Sequence, residues 1–503
     1  MRIPSESELR ELGRRFDVEV DDEELAEVQA QVARNLEGLD AVAEAPLGDG
    51  DASDVGARSW REPTDDPYNA VAVECEVGPK PDHSGALSGV EVGVKDIIAV
   101  AGVPMQCGSA AMRGNVPATD ATVVERLRAA GSTITAKTNL DEFAGGSRAV
   151  SADGQMRNPH NEDHVPGGSS GGSAIAVATG RVDVALGTDT GGSVRMPSSH
   201  CGIVGLKPTY GLVPLDGVVE NTYTLDHVGP MATSVSDAAG VLDAIAGKDR
   251  TDPASMQAAG RDDYGVGGYR EAAESPPDLT DVTLAVVEEG LGEGAAEQPV
   301  EEGVAERTET ALDHLADAGA DVRRVSIDAF ELAGPVKHVR SYAELAAHWR
   351  DGGAPYRRGG HVDPYTQASF ARATRAASAE VNGYYRSRLL AGAQLIEAHG
   401  GRHYTRALAA SRELKAAFDE AADAADALVT PTMPSTAPTV EDARQPGFDY
   451  ARNVIPANVT ERPAISLPNG TLDGLPVGLQ LIGNPFDERR LLGVAAVTAD
   501  VVG

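Results

Sequence analysis

Residues 187–211 read GTDTGGSVRMPSSHCGIVGLKPTYG, and this stretch says most about how the chain folds and works. A β-like apolar run, Val182–Leu186, ends just before it. The adjacent glycines Gly191 and Gly192 let the backbone approach a ligand closely with its N–H groups exposed, and Ser193 follows at once. Amide donors beside a hydroxyl nucleophile suit acyl transfer, because negative charge grows on the carbonyl oxygen in the transition state. These residues alone leave a nucleophile loop, a tight turn and a phosphate cradle open.

A second glycine–serine loop, GGSSGGS at 167–173, lies upstream and precedes the apolar run Ala174–Ala178. A predicted helix therefore begins at this loop. A nucleotide P-loop would need a lysine directly after its glycines, whereas the nearest downstream lysine is Lys207. The GxGxxG spacing of a dinucleotide site is also missing. The pattern argues against nucleotide binding, and we expect no cofactor.

A serine nucleophile needs a base, and the sequence offers histidine or lysine. His200 and His227 lie near the glycine loops, but neither stands in a recognisable nucleophile elbow. Lys95 follows the strand-like run Val90–Val94, so a β-strand would deliver it to the edge of a sheet. Both kinds of base remain open at this point.

Metal ligands are the alternative use of the histidines. His160 and His164 lie in HNEDH between Asn158-Pro159 and Pro166-Gly167, so no helix is expected to place both on one face. The three cysteines are scattered and lack the CxxC spacing of a zinc site. We therefore expect loop histidines and no metal site.

Short β-like runs alternate with helical ones from about residue 89 onward, which is typical of an α/β layered fold around a largely parallel sheet. The predicted strands are Val90–Val94, Thr133–Ala136, Val182–Leu186, Val282–Val287, Val322–Ile327, Ala464–Leu467 and Val477–Ile482. The predicted helices between them are Ala121–Ala130, Ser173–Thr179, Ser234–Ile245 and Val304–Ala318. Residues 342–427 are rich in Ala, Arg and Glu and predict several helices without strands.

Two parts of the chain are expected. Residues 1–70 form a small N-terminal helical appendage and arm, in which Ser5 and Glu8 fit a capping box and Leu25 to Leu39 contribute one apolar face. From residue 45 to residue 81 the chain is rich in Pro, Gly, Asp and Ser and is interpreted as a connecting arm. Residues 71–503 form the main domain, with the helical segment 340–420 facing the substrate.

Composition limits the function classes. Of 503 residues, 43 are basic and 77 acidic, a net charge of −34 that argues against nucleic-acid binding and against an anionic membrane surface. The N-terminus lacks the apolar run of a signal peptide, and no stretch approaches the length of a membrane span, so we expect a cytoplasmic protein. The acidic residues recur in every segment, which favours a salt-rich, halophilic cytoplasm over an ordinary acidic protein.

Several separated motifs together resemble the amidase signature family. They are GVKD around Lys95, DATVVERLRAAG at 120–131, PGGSSGGSA at 166–174, the stretch at 187–211, LDHVGPM at 225–231, LVTPTMP at 428–434, and PAIS followed by GLPVGLQLIG at 474–483. The resemblance implies that Lys95 is the base, Ser169 a bridging serine in a cis peptide, and Ser193 the nucleophile that forms an acyl-enzyme. It also implies an oxyanion hole from the N–H groups of Thr190, Gly191, Gly192 and Ser193. The implied fold is a large mixed, mainly parallel central sheet flanked by helices.

A lysine can act as the base only if it is uncharged at neutral pH. A lysine at its ordinary pKa of about 10.4 is charged at neutral pH and cannot accept a proton. Burial must lower that pKa by about 3 units, and apolar neighbours such as Val92, Val94 and Ile97 can supply the desolvation. Asp96 would oppose the effect, but strand alternation points it away from Lys95.

Within the family, the N-terminal helices and the NTYTLDHVGPM stretch favour a stand-alone amidase that hydrolyses carboxamides to acid and ammonia. The alternative is the glutaminase subunit of a glutamyl-tRNA(Gln) amidotransferase, towards which KTNLDEFAGG at 137–146 leans. Ser147-Arg148 and VTERPAIS at 459–466 depart from the pattern of that subunit. Arg388 stands where the subunit has a substrate-carboxylate arginine, and a charge on a helix surface is the equal alternative for it. A non-catalytic binding protein of the same fold is disfavoured because all three catalytic positions are filled. The expected partner is a small amide, and a homodimer is possible.

Overall fold

The computed structural model describes residues 2–16, 18–37, 58–81, 85–294, 296, 299–355, 362–376, 378–445 and 451–502. Its contacts divide the chain into two compact units, Met1–Asp54 and Val55–Gly503. The boundary falls before the predicted one at residue 70, because residues 59–61 already pair with the sheet of the larger unit.

The smaller unit contains α1 (Glu6–Phe16) and α2 (Leu25–Leu36). The predicted capping box is present: the Ser5 N–H donates to Glu8 Oε2 at 2.8 Å, and the Glu8 N–H donates to Ser5 Oγ at 3.4 Å. Leu9 of α1 and Leu25 of α2 are buried. The helical prediction for this segment is confirmed as far as Leu36, while Leu39 and the arm over 45–57 lie outside the described residues.

The larger unit is built on a twelve-stranded sheet in the order β1-β2-β4-β3-β7-β9-β8-β13-β14-β12-β10-β11. Strands β1 to β7 are Ser59–Arg61, Val71–Val77, Glu91–Lys95, Thr133–Thr138, Val150–Ser151, Gly154–Gln155 and Val184–Asp189. Strands β8 to β14 are Val204–Lys207, His227–Ala232, Thr283–Val287, Asp321–Val325, Ala427–Pro431, Ala464–Leu472 and Leu475–Ile482. Strands β5 and β6 form a separate two-stranded sheet.

The mixed α/β fold is confirmed, but the expectation of a mainly parallel sheet is wrong. Within the described part of the twelve-stranded sheet, seven of the eleven strand pairings are antiparallel; only β3–β4, β3–β7, β10–β11 and β10–β12 are parallel. The antiparallel pairs come largely from strands that the sequence pattern did not reveal, namely β1, β2, β8, β9 and β12. β9 (HVGPMA) contains glycine and proline, so its sequence does not predict a strand. β13 and β14 are joined by the tight turn Asp473-Gly474, so they form an antiparallel hairpin rather than a parallel pair with a crossover connection.

Helices cover the sheet, and all four predicted helices of the main domain are found within two residues of their expected bounds. Helices α3 to α9 are Thr122–Ala129, Gly171–Ala178, Arg195–Cys201, Val235–Ile245, Pro253–Ala258, Tyr269–Glu274 and Glu302–Asp317. Helices α10 to α15 are Ala333–Arg350, Pro364–Ala376, Gly383–His399, Arg402–Ala421, Ile455–Val459 and Glu488–Val502. None of the helices in the described part of the chain has the length and hydropathy of a membrane span.

The register of β3 and β7 positions the site. The two strands are parallel neighbours, with Val92 opposite Val184 and Val94 opposite Leu186. Their carboxyl ends therefore meet at one edge of the sheet, which brings the side chain of Lys95 near the residues that follow Asp189. Loop 167–170, which precedes α4, lies at the same edge, since Lys95 bonds its serines.

Candidate active site

Lys95 lies at the centre of a buried cluster of hydroxyl groups. Its Nζ is 2.8 Å from Ser169 Oγ, 2.8 Å from Ser170 Oγ and 2.7 Å from Thr188 Oγ1. The side chain is fully buried, as are the apolar residues Val94 and Ile97 on either side of it in the chain. Lys95 and Ser169 are therefore neighbours, as the resemblance implied.

Burial lowers the pKa of Lys95 to about 7, because the charged ammonium loses its hydration. The carboxylates of Asp141, Asp189 and Asp226 act in the opposite direction and do not cancel the effect. Asp96, the carboxylate nearest in sequence, accepts a hydrogen bond from Lys137 Nζ at 2.7 Å, so it points away as predicted. Lys95 is therefore divided between its neutral and charged forms near neutral pH.

Ser170 and Thr188 are site residues that sequence reasoning missed. The Ser170 hydroxyl donates to the Thr188 carbonyl oxygen at 3.1 Å, so its oxygen is left to accept from Lys95. A neutral amine has two protons and one lone pair, which matches donation to Ser170 and Thr188 and acceptance from Ser169. The only sequence signal for Ser170 was its place directly after Ser169. Thr188 could have been found from the parallel register of β3 and β7.

The peptide bond between Gly168 and Ser169 is cis, as the resemblance implied. Ser193 is partly buried and borders the cavity described below. The Ser170 N–H donates to the Ser193 carbonyl oxygen at 3.3 Å and ties the two glycine–serine loops together. Among the described residues no hydrogen bond joins the side-chain oxygens of Ser169 and Ser193. Catalytic hydrogen bonds are often long before substrate binds, so this geometry does not exclude a relay between them.

The loop that carries Ser193 differs from the expected oxyanion hole in one respect. The Gly192 N–H donates to Asp189 Oδ1 at 2.8 Å, so this amide is already engaged. Gly192 has a φ of 106°, and a Cβ there would lie 2.1 Å from Val454 Cγ2, so only glycine fits. The remaining candidate donors are the N–H groups of Thr190, Gly191 and Ser193.

A fully buried ion pair fixes this loop. Asp189 accepts from Arg195 Nη2 at 3.0 Å and Nε at 3.1 Å, and from Asn458 Nδ2 at 2.8 Å. Burial acts to raise the pKa of Asp189, but the adjacent Arg195 guanidinium, with help from Lys207, holds it below its ordinary value. Asp189 is therefore a charged anchor for the Gly192 N–H and for the Val194 N–H at 3.1 Å.

The histidines do not compete with Lys95. His227 Nδ1 is 2.7 Å from the Leu225 carbonyl oxygen, and burial holds its pKa below the ordinary value. Burial also lowers the pKa of His200 to about 4. Neither ring is hydrogen-bonded to Ser193 among the described contacts.

His160 and His164 bond backbone oxygens, as expected of loop histidines. His160 Nε2 lies 3.0 Å from the Cys201 carbonyl oxygen, and His164 Nδ1 lies 2.6 Å from that of Ala437. Within the described ranges, no three His, Cys, Asp or Glu side chains are grouped as metal ligands would be.

Ser193 opens into a cavity of about 300 Å³. Helices α10 and α12, both of which reach into the segment predicted to face the substrate, contribute side chains to its wall: Lys337, His338, Tyr342, Tyr384 and Arg388. Arg388 is buried rather than a surface charge, and its Nη2 lies 3.2 Å from Ser341 Oγ. The arrangement thus places the Ser193 hydroxyl and backbone amide donors at the cavity, close to a lysine of lowered pKa.

Comparison with known proteins adds four findings. The family model described as Amidase matches residues 71–492. The A subunit of the glutamyl-tRNA(Gln) amidotransferase of Natronomonas pharaonis is 41% identical over 433 residues, which cover 84% of this chain and 98% of that protein. The crystal structure of the corresponding A subunit from Thermotoga maritima has a TM-score of 0.67 at 35% identity, covering 82% of this chain and 83% of that one. The native peptide amidase from Stenotrophomonas maltophilia has a TM-score of 0.68 at 32% identity, covering 83% of each chain.

Proposed function

The chain belongs to the amidase family, whose members act on amide C–N bonds, and we propose that it is the glutamine-hydrolysing subunit of a glutamyl-tRNA(Gln) amidotransferase. The observation that carries this proposal is the 41% identity to such a subunit over 98% of that subunit's length. These relatives support the alternative more than the stand-alone amidase that the sequence favoured.

In this proposal Ser193 is the nucleophile. Neutral Lys95 accepts the proton of Ser169 across their 2.8 Å contact while Ser169 accepts the proton of Ser193. Ser193 Oγ attacks the amide carbon, and the proton returns through Ser169 to the leaving nitrogen, which departs as ammonia. Water then attacks the acyl-enzyme by the same proton route and releases the acid.

The amides of Thr190, Gly191 and Ser193 stabilise the oxygen that becomes negative in both steps. Asp226 supports this loop, because Thr190 Oγ1 donates to Asp226 Oδ1 at 2.5 Å. Burial raises the pKa of Asp226 to about 7, and the hydrogen bonds that it accepts from the N–H groups of residues 221 and 222 act against that rise. The cations that line the cavity, Arg388 among them, suit the carboxylate of glutamine.

A stand-alone amidase is the second candidate, and one observation favours it. The family match begins at residue 71 and leaves the compact unit Met1–Asp54 outside it. The relative from Natronomonas pharaonis is matched over 98% of its length by 84% of this chain. A compact N-terminal unit outside the family match distinguishes this chain from a protein that consists of the family domain alone.

The test is ammonia release by the purified chain, alone and with the other subunits of a glutamyl-tRNA(Gln) amidotransferase. Glutamine, asparagine and a panel of neutral aliphatic and aromatic amides serve as substrates, and Ser193→Ala is the control for contaminating activity. Glutamine hydrolysis that increases when the other subunits and glutamyl-tRNA are added supports the proposed function. Efficient turnover of neutral amides by the chain alone, without any effect of those subunits, refutes it in favour of the second candidate.

A further inference from the structure

The cavity beside Ser193 has a charge opposite to that of the whole protein. The chain carries a net charge of −34, yet the described residues that line this cavity include Arg148, Lys337 and Arg388 and no carboxylate. A concave site of one sign concentrates ligands of the other sign. The cavity is therefore suited to a substrate that carries negative charge in addition to its amide.

Lys337 has the most informative position of the three cations. A Cβ placed on Gly191 would lie 2.7 Å from Lys337 Cε and 3.3 Å from Lys337 Nζ. The end of the lysine side chain therefore lies directly against the backbone of the loop that carries the nucleophile. A side chain at position 191 would displace it, so a glycine is needed there for space as well as for its N–H group.

The two arginines are held by other parts of the wall. Arg388 is buried, with Ser341 Oγ 3.2 Å from its Nη2 and the Tyr342 ring centre 5.4 Å from its Cζ. Arg148 stacks on Tyr384, with 4.1 Å between its Cζ and the ring centre. Lys337 is thus the cation whose contacts place it against the loop that carries Ser193, within a few bond lengths of the proposed reacting carbonyl.

We propose that Lys337 is a specificity-determining residue that pairs with a carboxylate on the acyl part of the substrate and selects anionic amides over neutral ones of the same size. The inference rests on the proposed amide hydrolysis and adds a residue and a charge preference to it. Lys337 acts on a group of the substrate, so it changes the relative rates of two substrates that differ only in that group. A role in holding the loop, or in stabilising the oxyanion, would instead change both rates alike.

The experiment compares glutaric acid monoamide with pentanamide, which share the acyl chain length and differ by a terminal carboxylate against a methyl group. The ratio of their kcat/KM values is measured at fixed ionic strength for the wild type, Lys337→Met, Lys337→Glu and Lys248→Met. Lys248 lies outside the cavity lining, so its variant controls for the loss of one positive charge from the protein. We expect the ratio to fall at least tenfold in Lys337→Met, to fall further in Lys337→Glu, and to stay at the wild-type value in Lys248→Met.

A ratio that is unchanged in Lys337→Met overturns the inference, whether both rates fall together or neither changes. Failure of the wild type to hydrolyse any primary amide would refute the proposed function separately. Binding then decides the inference: the affinity of Ser193→Ala for glutarate and for pentanoate is measured by calorimetry with and without Lys337→Met. A loss of at least tenfold confined to glutarate supports the pairing, and equal affinities for the two acids in both proteins overturn it.

Discussion

Replacing Lys95 by methionine should remove activity and at the same time change how the stability of the protein depends on pH. Burial lowers the pKa of Lys95 to about 7 from its ordinary value of 10.5. Each pKa unit corresponds to about 1.4 kcal/mol, so keeping the charged lysine in this site costs about 5 kcal/mol of folding free energy. That cost is present in full below pH 7, where the folded and unfolded chains both carry the proton.

Between pH 7 and pH 9 the folded protein loses the proton of Lys95, whereas the unfolded chain retains it. Unfolding then takes up a proton, and the wild type becomes more stable as the pH rises, by about 2 kcal/mol over this interval. Lys95→Met lacks this contribution, while every other titrating group is common to both proteins. The free energy of unfolding of the wild type relative to the variant should therefore rise by about 2 kcal/mol.

The assay is urea unfolding of both proteins at pH 7 and pH 9 in the same concentration of potassium chloride. Lys248→Met, which removes a lysine outside the buried hydroxyl cluster, provides the matched control. A difference between wild type and Lys95→Met that is the same at both pH values would refute the lowered pKa. The neutral-lysine mechanism would then lose its physical basis.

Four further predictions follow from the same site and surface. The value of kcat/KM should fall about tenfold per pH unit below pH 7, because protonated Lys95 cannot accept a proton; a flat profile from pH 5 to pH 7 would contradict this. Arg195→Met should lower the free energy of unfolding by about 3–5 kcal/mol, because it leaves the Asp189 carboxylate buried without its ion pair; an unchanged urea midpoint would be the contrary result. Ammonia release should be the same before and after dialysis against EDTA, since no described cluster resembles a metal site, and a loss that zinc restores would point back to His160 and His164. The melting temperature should rise between low and molar potassium chloride, because salt shortens the screening length around the −34 charge from about 30 Å at 0.01 M to about 3 Å at 1 M. A flat or falling melting temperature would refute the halophilic interpretation and indicate an ordinary acidic protein.

The sequence predicted those parts of the fold that have a local periodicity. Amphipathic helices such as Val235–Ile245 and buried parallel strands such as β3 and β7 have such a pattern, because one element repeats the same environment over several residues. β9 and β12 do not: each contains a proline, which argues against a strand in the sequence, and each pairs antiparallel with a strand about 40 to 50 residues away. Their direction depends on tertiary contacts, and the sheet was consequently expected to be more parallel than it is.

The candidate catalytic side chains could be named from the sequence for a related reason. Lys95, Ser169 and Ser193 each lie in a short motif, so the sequence around each one identifies it without knowledge of its neighbours in space. Ser170 and Thr188 lie within the same motifs, yet their roles depend on which hydroxyl groups lie within hydrogen-bonding distance of one amine. That distance follows from strand register, which no local pattern specifies.

The loop that carries Ser193 is held by contacts that no local pattern in the sequence predicts. The two glycines before Ser193 looked alike in the sequence, as a pair that exposes amides. In the structure Gly191 makes room for the side chain of Lys337, whereas Gly192 has a positive φ and lies against Val454. Val454 directly precedes α14, whose Asn458 also holds Asp189, the anchor of the Gly192 N–H. The position of Ser193 therefore depends on a segment that lies far away in the sequence, so changes in α14 should affect catalysis even though none of its residues takes part in proton transfer.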